Sequence, residues 1–544
     1  MKHPAEPIAR SVRRRRLRRL AGAMPVALLV GLLAACSGSG KGASPSSSQA
    51  PNGSATAYDP NGVLSYAADM SDPSFFAFDP VKATIGDTGA VLQLLDDSLL
   101  RQQPDGSLTP ALAAAASIVN PQTISVTLRP NVKFQDGTPL NSAAVKFTLL
   151  RNSAANSITF PAPIHDVSSV DLNGELGLTI HLSKPDAGAF YPLLANMSTM
   201  PVSPTAVGRR DPNPVTNPLG AGPFRITQYI PGQILVLTRN PTYWDVEDIK
   251  LGGIKFVNES GSGPAAINAL EAGTVDAITS DITELGALSG GGIQTAITSS
   301  ATTKEYFPLC DATGPLQNVK VRQALNYALD RNAINQALAQ GKGEAAWALV
   351  PSSSNLYPSD LTNYYAYNPA KAKQLIAQAG YPSGLTLTIM PGLSQDLQRL
   401  ALIAQQEWKA IGVNLQFKTT NPSSYVEDMF VKHQANMTDA NVVRSGLDAI
   451  SFLFTPGHLG DLCGYDSPTL DSMLTQLSAL ASTDPHYVQL WKQAQDFVVH
   501  NALDVWAIWL PSVIAYNGSR VGGIQTVFPS VTAYPDFFTA YIKK

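Results

Sequence analysis

SVTLRPNVKFQDGTPLNSAAVKFTLLR, residues 125–151, carries three structural instructions in one run. SVTLRPNVKF (125–134) alternates apolar and polar side chains, the period-two signature of a half-buried strand. Gln135-Asp136-Gly137 then predicts a tight turn, with Gly137 free to take a positive φ. NSAAVKFTLLR (141–151) follows as a helix, with Asn141 or Ser142 as its cap. A strand, a tight turn and a helix in close succession place the chain among mixed α/β proteins.

The same grammar extends outward. ILVLTRN (234–240) reads as a strand stopped by Asn240-Pro241. VKVRQALNYALDRNAINQALAQG (319–341) predicts one long helix whose Val321, Leu325, Ala328 and Leu329 share a face, with Gly341 suited to the C-terminal cap and Arg322 on the polar side. NPAKAKQLIAQAG (368–380) is a helix, LTLTIM (385–390) a strand, DLQRLALIAQQEWKAIG (396–412) a helix and VNLQFK (413–418) a strand. This alternation predicts α/β layers with much parallel pairing. No internal repeat of fixed period is evident.

The N-terminus has a different character. Residues 10–19 read RSVRRRRLRR, followed by 15 apolar or small residues, AGAMPVALLVGLLAA (21–35), and then Cys36. That run is too short to span a bilayer, which takes about 20 apolar residues. A basic region, a short apolar region and small residues before a cleavage point make a secretory signal. Leu33-Ala34-Ala35-Cys36 resembles a bacterial lipobox, which implies that Cys36 is acylated and becomes the first residue after cleavage. The Arg run does not decide between the general and the twin-arginine export route. Residues 37–58 are mostly Ser, Gly, Ala and Pro and bury too little to offset their ordering entropy. They read as a flexible tether with a reach of roughly 25 Å.

The whole chain has 544 residues and a formal net charge of −3. Residues 1–35 hold eight Lys/Arg and one acid, so the remainder has 30 basic and 40 acidic side chains, a net of −10. A polyanionic partner such as nucleic acid does not suit that balance. The segment after the tether exceeds what one core supports, so more than one domain is expected. VWAIWLPSVIAY (505–516) is interrupted by proline and reads as core rather than as a membrane span. Besides Cys36 the cysteines are Cys310 and Cys463, expected either as a disulfide of an exported protein or as two buried thiols.

Five stretches, in order, resemble the extracytoplasmic solute-binding proteins of family 5, the receptors for oligopeptide, dipeptide and nickel ABC importers. They are DDSLLRQQPDGSLTPALA (96–113), the quoted 125–151, NPLGAGPFRITQYIPGQILVLTRNPTYW (217–244), NVKVRQALNYALDR (318–331) and DVWAIWLPSVIAYNGSRVGGI (504–524). The residues carrying the likeness read as scaffold. Gly220 and Gly222 are expected to let the chain bend before Pro223, and Tyr243 with Trp244 to pack as an anchor. The resemblance implies an α/β, two-lobed periplasmic-binding-protein fold, class II-like (cluster C), with an inserted subdomain and a hinge between lobes. By analogy domain I holds residues 59–92, 208–301 and 512–544, domain II holds 93–207, and domain III holds 302–511.

The same resemblance implies the site. One cleft wall comes from AADMSDPSFFAFDP (67–80), with Met70, Phe75 and Phe76 as apolar contacts. The other comes from ANVVRSGLDAISFLF (440–454), where peptide receptors carry an aspartate that holds the peptide amine. Aligning Asp448 with the second aspartate of that motif puts Ser445 at the amine-binding position. A serine cannot offset a buried ammonium as a carboxylate does, whereas Arg444 offers a fork for carboxylate or phosphate. The implied activity is capture of a peptide or other small organic solute and delivery to an ABC permease with its ATPase. The chain would be a monomer held to the outer face of the cytoplasmic membrane through Cys36. No cofactor and no metal are implied. A nickel, metal-chelate or sugar receptor of the same family, or a surface or signalling lipoprotein on the same fold, are the alternatives. An enzyme is disfavoured: HExxH, G-x-S-x-G and the phosphate-loop pattern are all missing, and His458, close to Asp461 and Cys463, lacks regular ligand spacing.

Overall fold

The computed structural model describes residues 57–544, apart from the segments 71–77, 84–86, 104–106, 156–159, 161, 260–262, 289, 298–302, 422–423, 443–445, 456–459, 463 and 525–534. Cys36, Phe75, Phe76, Arg444, Ser445, His458 and Cys463 therefore lie outside the described residues.

The turn and the helix of the opening stretch form as expected, but its strand is shorter: residues 129–134, expected to continue it, do not, because Pro130 cannot donate to a ladder and Asn131 turns the chain at φ +63°. Strand Thr123–Leu128 ends before Arg129-Pro130, and Gly137 turns the chain at φ +85°. Helix Ser142–Ser153 then starts with Asn141 as its cap, whose side chain accepts the Ala144 N–H. Replacing Asn141 by alanine should lower stability by about 1 kcal/mol, read as a lower urea midpoint at unchanged slope.

Strand Thr123–Leu128 lies inside an antiparallel four-stranded sheet, with Ala113–Asn120 on one side and Gly177–Leu182, then Val167–Asn173, on the other. Leu128, Phe134, Val145, Ile180, Phe190 and Leu194 are buried in its core. A second core lies along a seven-stranded sheet ordered Ile293–Ile297, Val513–Asn517, Ala277–Ser280, Val63–Ala68, Gly253–Asn258, Ile234–Arg239, Phe224–Ile230. The C-terminal half builds around strands Thr303–Pro308 and Asp504–Leu510, flanked by Ala440–Val442 and Glu344–Ala345. Helices cover both faces of that sheet, burying Trp408 with Phe307 on one and Trp491 with Trp506 on the other. Among the described strands, parallel pairing is limited to Val63–Ala68 with its two neighbours and to Leu385–Met390 with Val413–Phe417 and Met437–Thr438; every other sheet pairing is antiparallel. The expected α/β layering holds, but the sheets are mixed.

The long helix expected over 319–341 is two helices, Val319–Tyr327 and Arg331–Ala339. Polar side chains break it. Asp330 caps the second helix by accepting from the Asn332 and Ala333 N–H groups. Arg331 is 2% exposed and donates to the carbonyls of Asn326, Leu329, Ala346 and Tyr365, which requires the chain to turn around its guanidinium. The final residue of that second helix is followed by Gln340 at φ +52°, with Gly341 also left-handed, so glutamine rather than glycine is the cap residue. Arg322, expected on a polar face, is buried and donates to the carbonyls of Leu316, Asn501 and Ala502, clamping the entry to strand Asp504–Leu510.

Two other expectations change in their cause. Gly220 and Gly222 have no left-handed φ; they are required because a Cβ at Gly220 would strike Leu95 and Asp96, and one at Gly222 the backbone of Leu94 and Leu95. Tyr243 and Trp244 do anchor, through one buried acceptor: the Tyr243 hydroxyl and the Trp244 indole N–H both donate to Asp97 Oδ2, at 2.7 and 3.1 Å.

Candidate functional site

The seven-stranded sheet and the C-terminal sheet are joined by two adjacent passages. Strands Ile293–Ile297 and Val513–Asn517 pair in the first sheet; their continuations Thr303–Pro308 and Asp504–Leu510 pair in the second. Ile297 lies opposite Val513, and Thr303 opposite Leu510, so the same two stretches of chain are paired in both sheets. One passage is Pro511-Ser512, and a proline cannot donate to a ladder. The two sheets are thus joined by a two-strand bridge.

The halves also meet at a second place. Helix Ala187–Phe190, from the antiparallel four-stranded sheet's core, packs against the end of helix Pro468–Ala479. The approach is close enough that a Cβ at Gly188 would overlap the Leu480 carbonyl oxygen and lie 2.6 Å from its carbon. Ala189 packs on the core that holds Trp491 and Trp506. Asp186, beside this contact, is buried, and desolvation pushes its carboxyl up to about 6 against the opposing hydrogen bond of Ser478. The halves thus touch at the bridge and at a rim.

Strand Thr303–Pro308 follows the bridge directly. It is central in its sheet, with Ala440–Val442 on one side and Asp504–Leu510 on the other, and both of its faces are covered. Successive side chains therefore bury on opposite faces. Lys304 is 0% exposed, and its Nζ stands 4.0 Å from the Trp506 ring centre, 4.9 Å from Tyr306 and 5.6 Å from Trp509. Burial holds its ammonium well below the ordinary lysine value, and the charge of Asp504 offsets only part of that. Glu305, on the other face, is pushed up to about 8 by burial, then by the carboxylates of Asp396, Asp439 and Asp281.

Sequence reasoning placed the site elsewhere. Met70, expected as an apolar ligand contact, is fully buried in the core of the seven-stranded sheet, and its N–H donates to Asn258 Oδ1. The chain leaving strand Val63–Ala68 is pinned there, so the Met70 side chain packs inward. Asp448 falls in helix Gly446–Phe454, one turn beyond strand Ala440–Val442. Cys310 is disulfide-bonded, and Leu462, next to Cys463 in sequence, shares its small core with Met390 and Met429. Lys304 and Glu305 gave no sequence signal: TTKEYFPL reads as a strand with an exposed charged pair. Only the helices packed on the sheet show that neither face is open.

Known proteins decide the family. Residues 107–461 match the model for "Bacterial extracellular solute-binding proteins, family 5 Middle", which covers more than half of the chain. The chain belongs to family 5 of the bacterial extracellular solute-binding proteins. This family 5 protein is 26% identical over 459 residues to the glutathione-binding protein GsiB of Shigella flexneri, spanning 81% of this chain and 87% of that one. Its fold matches the ABC transporter substrate-binding protein CtaP of Listeria monocytogenes, with a TM-score of 0.76, 21% identity, and coverage of 89% of this chain and 100% of that one. It also matches the oligopeptide-binding protein AppA of Bacillus subtilis in complex with a nonapeptide, with a TM-score of 0.73, 20% identity, and coverage of 89% and 99%. The α/β periplasmic-binding-protein fold is thereby established, and the family's members bind solutes rather than transform them. Among the described residues no group of histidine, cysteine and carboxylate side chains could hold a metal ion, and no helix is long and apolar enough to cross a membrane.

Proposed function

We propose that the protein is the substrate-binding component of an ABC importer, capturing a peptide or other small organic solute between two lobes and presenting it to a membrane permease. The observation that carries this is the combination of a two-strand bridge with a second contact between the halves, at Gly188 and Leu480. A narrow bridge concentrates motion in few residues, and a rim that meets only when the lobes swing together couples closure to what lies between. A solute that touches both lobes favours the closed form and shifts the population toward it. Domain I is taken as residues 59–92, 208–301 and 512–544, domain II as 93–207 and domain III as 302–511. Cys310 and its proposed partner Cys463 then lie within domain III, where a bridge leaves the hinge free.

Phe75, Phe76, Arg444, Ser445 and Asp448 remain the proposed cleft residues of the two walls. The similarity to a glutathione-binding protein and to a nonapeptide complex supports a peptide-like solute. Native mass spectrometry of protein purified without denaturation tests the reading: a co-purifying organic mass is expected, and a nickel chelate overturns the peptide assignment. In a thermal-shift screen, a solute present at 100 times its Kd adds about 2.7 kcal/mol.

Lipid anchoring on Cys36 belongs to the same proposal, with the Ser/Gly/Pro tether spacing the lobes from the membrane. Two acyl chains make such an anchor durable, since each buried CH2 contributes about 0.8 kcal/mol. Cys36→Ser is expected to abolish incorporation of radiolabelled palmitate. A variant labelled as strongly as the parent refutes the anchor and leaves solute capture untouched.

A further inference from the structure

The core of the C-terminal half contains two hydrogen-bond donors without an acceptor. Lys304 Nζ is buried without a hydrogen-bond partner, and so is Trp509 Nε1. They belong to one place, because Lys304 and Trp509 are direct cross-strand partners and the ammonium lies over the Trp509, Tyr306 and Trp506 rings. Cation–π contact softens the cost of burying an ammonium but accepts no hydrogen bond. Native cores seldom leave such groups unpaired, and one left so commonly has a functional cause. The nearby carboxyl, Asp504, does not fill the gap: burial pushes it toward the protonated, uncharged form, and its own Oδ2 is unpartnered.

The location fits a solute site. Thr303–Pro308 is the first strand beyond the bridge between sheets, and Lys304 sits opposite Val442, where strand Ala440–Val442 leads into the proposed cleft segment that follows. The same face of the sheet carries the core that Ala189 touches at the rim. Resting on the solute-binding reading above, we propose that Lys304 and Trp509 form the anion-recognition end of the site and take a carboxylate of the solute. Nζ supplies the charge, Nε1 a directed hydrogen bond, and the rings of Tyr306 and Trp506 an apolar wall. Lys304 has no exposure, so a carboxylate reaches it only when the structure around it opens. The solute class is then an organic acid or a peptide engaged through a carboxylate, consistent with a serine at the position where peptide receptors place an amine-binding aspartate.

The test is isothermal titration of the full exported domain with four probes: glutathione, trialanine, trialanine amide and glucose. A carboxylate probe is expected to bind the parent protein, its amide at least tenfold more weakly. Lys304→Met should weaken the carboxylate about a hundredfold and Trp509→Phe about tenfold, in line with charge-assisted and neutral hydrogen bonds. Melting of the solute-free protein provides a second readout. Lys304→Met should melt higher than the parent, because an ammonium without an acceptor is replaced by an apolar chain of similar length. Unchanged carboxylate affinity in Lys304→Met overturns the proposal, as does a lower melting temperature, which would mark Lys304 as a structural partner of Asp504. Binding of glucose or of the amide alone overturns the carboxylate end and leaves solute capture standing; a parent protein that binds none of the four overturns both.

Discussion

Gly188→Val is expected to leave the protein folded but unable to close. Gly188 lies in helix Ala187–Phe190, with no left-handed backbone requirement, so a side chain is tolerated by its own core. The obstacle is across the rim, where the added Cβ would meet the carbonyl group of Leu480, backbone that cannot rotate away. Around this point the contact is otherwise well fitted. Asp186 is 5% exposed, Ser478 Oγ donates to the Pro185 carbonyl at 3.5 Å, and Ala189 meets the opposite core. A solute that gains half of its contacts only on closure should lose them in the variant. A loss of about ten- to hundredfold in affinity, roughly 1.4–2.7 kcal/mol, is expected by titration calorimetry. Small-angle scattering should show a radius of gyration that no longer contracts when solute is added. If the variant contracts and binds as the parent does, the rim contact is incidental to capture.

Glu305→Gln is expected to stabilise the protein at alkaline pH and to do little at acid pH. Glu305 is 3% exposed, its Oε2 has no hydrogen-bond partner, and burial with Asp396, Asp439 and Asp281 raises its carboxyl to about 8 from 4.5. A carboxyl whose folded value is raised keeps its proton in the folded state while the unfolded chain releases it. Stability from this group is therefore fully present below pH 4.5 and falls as pH rises through the window up to about 8. Glutamine mimics the protonated form at every pH. At pH 8 the substitution should add roughly 3–5 kcal/mol, fading toward zero near pH 4. Asp439 and Asp311, each raised to about 7, titrate in the same direction, so the parent itself should be more stable near pH 5 than near pH 8. Urea unfolding of both proteins across this range isolates the Glu305 share; parallel curves for parent and variant would show that Glu305 is not charged under strain.

How much of this was legible beforehand depends on the range of the forces involved. The turn and helix of the 125–151 stretch formed as read because each is local, a positive φ at Gly137 and a cap at Asn141, whereas the strand read over 125–134 ends at Leu128. The helices at 369–378 and 395–410 follow for the same reason, each opened by its own capping side chain, Asn368 and Ser394. The break between Tyr327 and Arg331 was not legible. The periodic apolar face continues across it, and what interrupts it is Arg331 reaching carbonyls as distant as Ala346 and Tyr365. Gly220 and Gly222 could be recognised as necessary, but their reason, the approach of the chain at Leu95 and Asp96, is a contact across more than a hundred residues.

The candidate site divides along the same line. The amino-acid sequence by itself determined the family, the α/β alternation and the turn chemistry, all of which depend on neighbours in the chain. Tertiary structure alone decided that Met70 packs inward, that Gly188 is the rim contact, and that Lys304 and Glu305 are buried on opposite faces of one strand. Exposure is a property of what covers a residue, and here the cover arrives from helices at 446–500 on the Lys304 face and from helices at 319–339 and 395–410 on the Glu305 face. A charged pair that would be unremarkable on an edge strand becomes an unpartnered cation and an uncompensated acid once its strand is enclosed on both sides.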